Sequence, residues 1–153
     1  MTARWLRRLF NLYPPFLGAG VRVRHLADDY RSARVEMPLR WYNRNYVGTH
    51  FGGSLFSMTD PFLMLMLMRN LGNGYRVWDK AASIEFVTPG RGTMVAEFAI
   101  DEPLLASIRD ATASGEKYLP WFDIEVRDVD GGLIARVRKQ IYVRRKDARG
   151  AMP

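Results

Sequence analysis

The sequence predicts an α+β domain in which a curved antiparallel sheet of about six strands wraps around a long buried central helix, with a short N-terminal helix ahead of it. Three observations predict this. Residues 62–68, a run of leucines and methionines behind Phe62, are apolar at every position, so neither period 2 nor period 3.6 leaves a polar face, and a helix apolar all round is buried all round. Six strand-like segments surround that run, two before it and four after it. The 153 residues, 48% hydrophobic and 25% charged, suit one core, so residues 1–153 are read as a single domain.

Taken in order, residues 1–16 read as an amphipathic helix. Trp5, Leu6, Leu9, Phe10 and Tyr13 fall on one side, with Arg4, Arg7, Arg8 and Asn11 largely on the other. Docking on the domain is the simpler use of such a helix, and lying on a membrane surface is the alternative. Asn11 and Pro14-Pro15 interrupt the apolar core that a secretory signal needs, so a cytoplasmic location is expected. Residues 21–27 and 30–39 alternate as strands around a turn at Asp28-Asp29. A polar, aromatic loop over 41–46 leads to Gly48-Thr49. The central helix is placed over 51–71, because leucine and methionine favour helix and Gly72-Asn73 is a good stop. Strands follow at 76–88 and 93–101 around Pro89-Gly90-Arg91-Gly92, then a short helix at 103–114. A hairpin of 118–129 and 133–145 turns at Asp130-Gly131-Gly132. Two strands, a buried helix and four strands is the element order of the hotdog fold.

Composition excludes several classes. No cysteine means no disulfide, thiol nucleophile or thiolate-bound zinc, and two histidines, His25 and His50, are too few for a typical three-ligand catalytic zinc; no metal site is expected. No apolar run approaches the roughly 20 residues of a membrane span. The net charge of +7 is concentrated at the ends: Arg4, Arg7 and Arg8 in residues 1–8, and seven bases against Asp147 in 133–149, leaving the body near −2.

Ser54, Ser57, Thr59 and Asp60 are the polar residues ahead of the apolar run. In a helix starting near Gly52, Gly53, Ser57, Asp60 and Met64 share one face. A lone carboxylate there is costly to bury, and desolvation raises its pKa towards that of a useful base. Two glycines at the helix start let a ligand approach backbone N–H groups that suit a developing oxyanion. The residues support a second reading equally well: Asp60-Pro61 is a standard helix start, with aspartate as N-cap and proline at the first helical position. In either reading Asp60 lies at a break or kink, since proline removes a backbone bond.

Asn45, Gly48, Gly52, Gly53 and Asp60 stand without a gap across sixteen residues in an arrangement that resembles the N-x-x-G-x-x-H-G-G-x6-D signature of hotdog-fold acyl-CoA thioesterases of the phenylacetate-pathway and hydroxybenzoyl-CoA branches. Phe51 stands where that signature has histidine, and His50 is displaced by one. The form Gly48-Thr49-x-Phe51-Gly52-Gly53-Ser54 is most similar to a bacterial branch of the fold known as a domain of unknown function.

The resemblance implies thioester hydrolysis, with Asp60 as general base or nucleophile, Asn45 and Gly53 preparing the carbonyl, and Gly48, Thr49, His50, Phe51, Gly52, Ser57, Met64 and Arg91 lining the substrate. It implies acyl-CoA as substrate with no further cofactor. It also implies a homodimer in which one subunit gives the aspartate and the other the asparagine-to-glycine loop, with a dimer of dimers common in the fold. A non-catalytic acyl-CoA-binding protein and a hotdog hydratase or dehydratase are the competing readings. On the last strand, Arg136, Arg138, Gln140, Tyr142 and Arg144 alternate with Ala135, Val137, Ile141 and Val143. Such a stripe suits coenzyme phosphates or, less well, a nucleic-acid backbone. A hairpin turning at Asp130-Gly131 instead sets Arg138 against Asp123 and Arg136 against Glu125, a charge ladder that neutralises half of it.

Overall fold

A computed structural model describes residues 1–146; Asp147 and Arg149 of the basic C-terminal run lie outside the described residues. The elements are α1 (Ala3–Leu12), α2 (Pro14–Ala19), β1 (Arg22–Leu26), β2 (Ser32–Pro38), α3 (Gly52–Ser57), α4 (Phe62–Leu71), β3 (Tyr75–Phe86), β4 (Thr93–Ala99), α5 (Glu102–Ala111), β5 (Trp121–Asp128) and β6 (Leu133–Arg145). The strands form one sheet in the order β1-β2-β4-β5-β6-β3, with every neighbouring pair antiparallel. Alternate residues of β2, β4, β5 and β6 give the inner face: Val35 and Met37, Met94, Ala96 and Phe98, Ile124 and Val126, then Ala135, Val137, Ile141 and Val143 are all buried. Against that face packs α4, with Phe62, Leu65, Met66 and Leu67 buried. This is the hotdog arrangement that the element order predicts.

The central helix differs from the expectation of one rod over 51–71. It is two helices, α3 and α4, separated at 58–61, and the Asp60–Pro61 peptide is cis. The reason is local: Pro61 has no N–H to give Ser57, the N–H groups of Thr59 and Asp60 reach back three residues to Phe56 and Ser57, and the regular ladder resumes with Leu65 N–H to Pro61 C=O. Burial is also incomplete. Met68 is 40% exposed and Met64 only partly covered in the single chain.

The N-terminal segment likewise forms two helices rather than one, with Pro14 at the first position of α2. Its apolar residues divide between two sides: Ala3 and Leu6 are buried, while Trp5, Leu9 and Tyr13 face solvent. The helices dock on the domain through an aromatic cluster, in which the Phe62 ring lies 5.0 Å from Phe98, 5.7 Å from Phe10 and 6.0 Å from Phe16. Asn11 adds a second anchor. Its amide donates to Val23 C=O and accepts from Val23 N–H, at 3.1 and 2.8 Å, so one side chain satisfies the outer edge of β1 beside its bulge. No helix among the described residues is long and apolar enough to cross a membrane.

The hairpin register is the one the turn predicts: Asp123 faces Arg138 and Glu125 faces Arg136. Arg138 pairs with Asp123 at 3.2 Å and lies over the Trp121 ring. Arg136 turns to Glu85 of β3 instead, at 3.8 Å, because Glu125 is taken by Arg127. Farther along the same outer face, Trp78 and Tyr142 stack 3.8 Å apart.

Candidate active site

The loop between β2 and α3 is held by asparagines. Asn43, buried, accepts from Arg40 N–H and donates to Ala19 and Pro38 carbonyls, tying the loop to α2 and β2. Asn45 folds the next turn onto itself: its Nδ2 donates to Thr49 Oγ1 (2.9 Å) and His50 C=O (3.1 Å), and its Oδ1 accepts Thr49 N–H (3.0 Å). Both amide hydrogens are therefore spent inside the loop, and Asn45 acts on any ligand through the loop it shapes. Gly48 takes the left-handed conformation at φ +83° that closes this turn. Arg91, from the β3–β4 turn, donates to Gly48 C=O at 3.5 Å, which brings these two sequence-predicted residues together.

His50 is 3% exposed. Its backbone N–H goes to Gly90 C=O and its Nε2 lies 2.9 Å from Gly92 C=O; a carbonyl only accepts, so Nε2 carries the hydrogen and Nδ1 a lone pair. Nδ1 is buried without a partner among the described residues. Burial lowers the imidazole pKa from 6.5, against the opposing pull of Gly92. Phe51 C=O accepts the N–H groups of Ser54 and Leu55 and so starts α3. No acceptor among the described residues takes the N–H groups of Gly52 and Gly53. The two glycines have a visible packing role as well. A Cβ on Gly52 would stand 2.8 Å from the Phe86 ring, and one on Gly53 2.5 Å from the Phe51 ring. Thr49, His50, Gly52, Phe86 and Pro89 help to line a cavity of about 350 Å³.

Asp60 is not among the residues that line that cavity. It is not the N-cap of α4: that position is Pro61, and no side chain caps the helix. Its side chain is 61% exposed, with Oδ1 3.9 Å from Nζ of Lys139 on β6. Lys139 is only 2% exposed, and it donates to Asp79 Oδ2 on β3 at 3.1 Å. Asp79 Oδ1 is buried with no partner among the described residues. Although the side chain reaches solvent, the protein packed around its covered side partly desolvates the carboxylate and raises the Asp60 pKa above its ordinary 3.8; Lys139 opposes this and Asp79 adds to it. One chain thus brings together Asp60, Asp79 and Lys139 in one place, and the loop 45–53 with Arg91 in another. Ser57 and Met64 are half-buried on the α3 and α4 sides of the break.

Lys139 escaped the sequence reading, although the signal is present. It stands on the parity of Val137 and Ile141, so a strict period of 2 puts it on the inner face. Nothing in the sequence marks that a carboxylate from β3 and another from the α3–α4 break meet it there. No three histidine, aspartate or glutamate side chains among the described residues converge to hold a metal ion.

Comparison with known proteins bears on the fold and the family. Three solved structures superpose on nearly the whole chain: a Pseudomonas aeruginosa protein of unknown function named a probable thioesterase (TM-score 0.82, 18% identity, 95% of this chain and 97% of that one), a Haemophilus influenzae thioesterase (0.69, 15%, 95% and 92%), and a Chlorobaculum tepidum protein of unknown function (0.72, 16%, 94% and 94%). At these identities the likeness is one of fold. No curated protein matches. A family model described as "Domain of unknown function (DUF4442)" matches residues 2–143, which takes in both helix pairs, the asparagine loop, Asp60 and Lys139, and the chain therefore belongs to that family of hotdog-fold domains.

Proposed function

We propose that this protein hydrolyses acyl-CoA thioesters to the free acid and coenzyme A, as a cytoplasmic homodimer or dimer of dimers. The observation that carries the reading is Asp60: the sole carboxylate between residues 51 and 71, placed at the helix break, capping nothing, reachable from solvent and with its proton affinity raised. Such a group suits a base or a nucleophile. The unpaired N–H groups of Gly52 and Gly53, on a loop that Asn45 and Asn43 hold rigid, suit the carbonyl oxygen as it becomes an oxyanion. Asp60 takes a proton from water as the water oxygen bonds to the acyl carbon. The tetrahedral oxyanion then collapses, the carbon–sulfur bond breaks, and the thiolate leaves and takes up a proton. In the alternative route the Asp60 carboxylate attacks first and water releases the acid. Substrate contacts fall to Thr49, to Phe51, to Arg91 and to the part of the His50 ring that lines the loop cavity.

The dimer rests on two features. Asp60 is not among the residues that line the loop cavity of its own chain, and β3, twelve residues long, pairs with β6 alone among the described residues, which leaves its outer edge open. A free edge of that length is a ready surface for a second strand, and pairing there lets one subunit's Asp60 serve the other's loop. The names of two structural neighbours as thioesterases support the same chemistry. A non-catalytic acyl-CoA-binding role is favoured by one observation, the Phe51 ring seated over Gly53. Thiol release from short, medium, long and aromatic acyl-CoAs, measured beside Asp60→Asn, decides between them. Turnover that collapses in the variant is the expected result; no turnover of any acyl-CoA by the folded protein refutes hydrolysis and favours binding.

A further inference from the structure

Lys139 is a buried ammonium among the apolar residues of β6, between Val137 and Ile141. An ammonium without water is costly unless paired, and Lys139 is paired unequally. Its short contact, a 3.1 Å hydrogen bond, is with Asp79 across the β3–β6 ladder, at the bulge between Asp79 and Ala81. Its long contact, 3.9 Å, is with Asp60, outside hydrogen-bond distance. No hydrogen bond among the described residues engages the Asp60 carboxylate, so Oδ2 is free to take a proton. The inequality matters chemically. A direct ammonium–carboxylate bond would tie up the Asp60 lone pairs, while Asp79 without the ammonium would leave like charge alone beside the Asp60 carboxylate.

Building on the thioesterase reading, we propose that Lys139, tethered by Asp79, is the positioning residue of Asp60: it orients the carboxylate through Oδ1 and sets a positive charge beside it, while Asp79 holds the ammonium back from a direct bond. The charged groups facing Asp60 are Lys139 on β6 and Asp79 on β3. The two therefore act on Asp60 with opposite sign.

The test is a carbon-13 titration of aspartate-labelled protein, with the Asp60 carboxyl resonance identified by its loss in Asp60→Asn. Wild type, Lys139→Met, Lys139→Arg and Asp79→Asn are compared. An opposite charge at this range shifts a carboxylate by about one unit or more, a tenfold change in proton affinity. The Asp60 midpoint is therefore expected to rise by about one unit in Lys139→Met and to fall in Asp79→Asn. Lys139→Arg is expected to stay near wild type. The acid limb of kcat/KM for acyl-CoA hydrolysis moves with the same signs, with KM little changed. If Lys139→Met fails to fold, Asp79→Asn and Lys139→Arg still decide the matter. An Asp60 midpoint unmoved in the folded variants, with only Tm lowered, overturns the proposal. Opposite midpoint shifts in a protein that turns over no acyl-CoA uphold the hold of Lys139 on Asp60 and refute the thioesterase reading instead.

Discussion

Gly53 carries two explanations that one double-mutant cycle separates: it makes room for the Phe51 ring, or it lets a ligand reach the start of α3. Its φ is not positive, so alanine is conformationally allowed. The new Cβ lies 2.5 Å from Phe51 Cε1, where ordinary contact begins near 3.4 Å. The ring must retreat by about 0.9 Å or turn off its rotamer, at about 0.5–1.5 kcal/mol. Part of its packing is lost as well, but the ring is 57% exposed, so that loss is small. Helix propensity returns up to about 1 kcal/mol for glycine to alanine. Gly53→Ala alone is therefore expected to stay within about 1 kcal/mol of wild type, or about 2–4 °C in Tm. In a Phe51→Ala background the clash is gone and the same change is expected to stabilise, a coupling of about 1 kcal/mol. The assay pairs thermal melts with acyl-CoA hydrolysis on all four proteins. If Gly53 serves the oxyanion, the double variant recovers Tm and stays slow, because the methyl group still stands where the thioester comes in. Recovery of both stability and rate would refute the ligand role and leave Gly53 a packing residue.

Three further outcomes follow from the same geometry. Asp60→Asn is expected to cut hydrolysis at least a hundredfold, the usual worth of a positioned base. Its effect on stability has a definite sign: a carboxyl whose folded pKa is raised destabilises the fold once pH exceeds that value, so the variant's Tm at pH 7 should equal or exceed wild type, with the gain vanishing below the ordinary carboxylate pKa of 3.8. A lower Tm for the variant at pH 7 contradicts this. Asn45→Ala removes three hydrogen bonds and leaves loop groups unsatisfied, a cost of about 2–4 kcal/mol. Urea unfolding measures it, and a loss under 1 kcal/mol would mean that the loop does not depend on this side chain. His50, with a folded pKa held below 6.5 by burial, contributes stability that is present above 6.5 and is lost as pH falls from there to its folded value. Proton NMR of the imidazole should give a midpoint below 6.5, and a midpoint at or above it contradicts the burial argument.

Much of the fold was legible because its signals are local. Strand-like segments bounded by turn residues located all six strands, and the Asp130-Gly131-Gly132 turn fixed the β5–β6 register, so the facing of Arg138 with Asp123 followed by counting. The apolar run at 62–68 located the buried helix, and Pro61 marked its break without saying which side Asp60 would join. Side-chain bookkeeping was not legible. That Asn45 spends its amide on Thr49 and His50 depends on a chain reversal that spacing alone does not describe. That Arg136 prefers Glu85 to Glu125 depends on a third strand brought in from earlier in the chain. Lys139 was visible by parity and yet unreadable in role, since its partners lie 60 and 79 residues away.

The amide of Asn11 has a consequence for assembly. A sheet that grows by adding chains edge to edge needs two open edges, one to accept and one to offer. Here the β1 edge is answered at Val23 by a side chain of the same molecule, and the β3 edge is left open among the described residues. In the proposed dimer, two copies that meet at β3 would use up the open edge of each, so the sheet would stop at a pair instead of running on as a fibre.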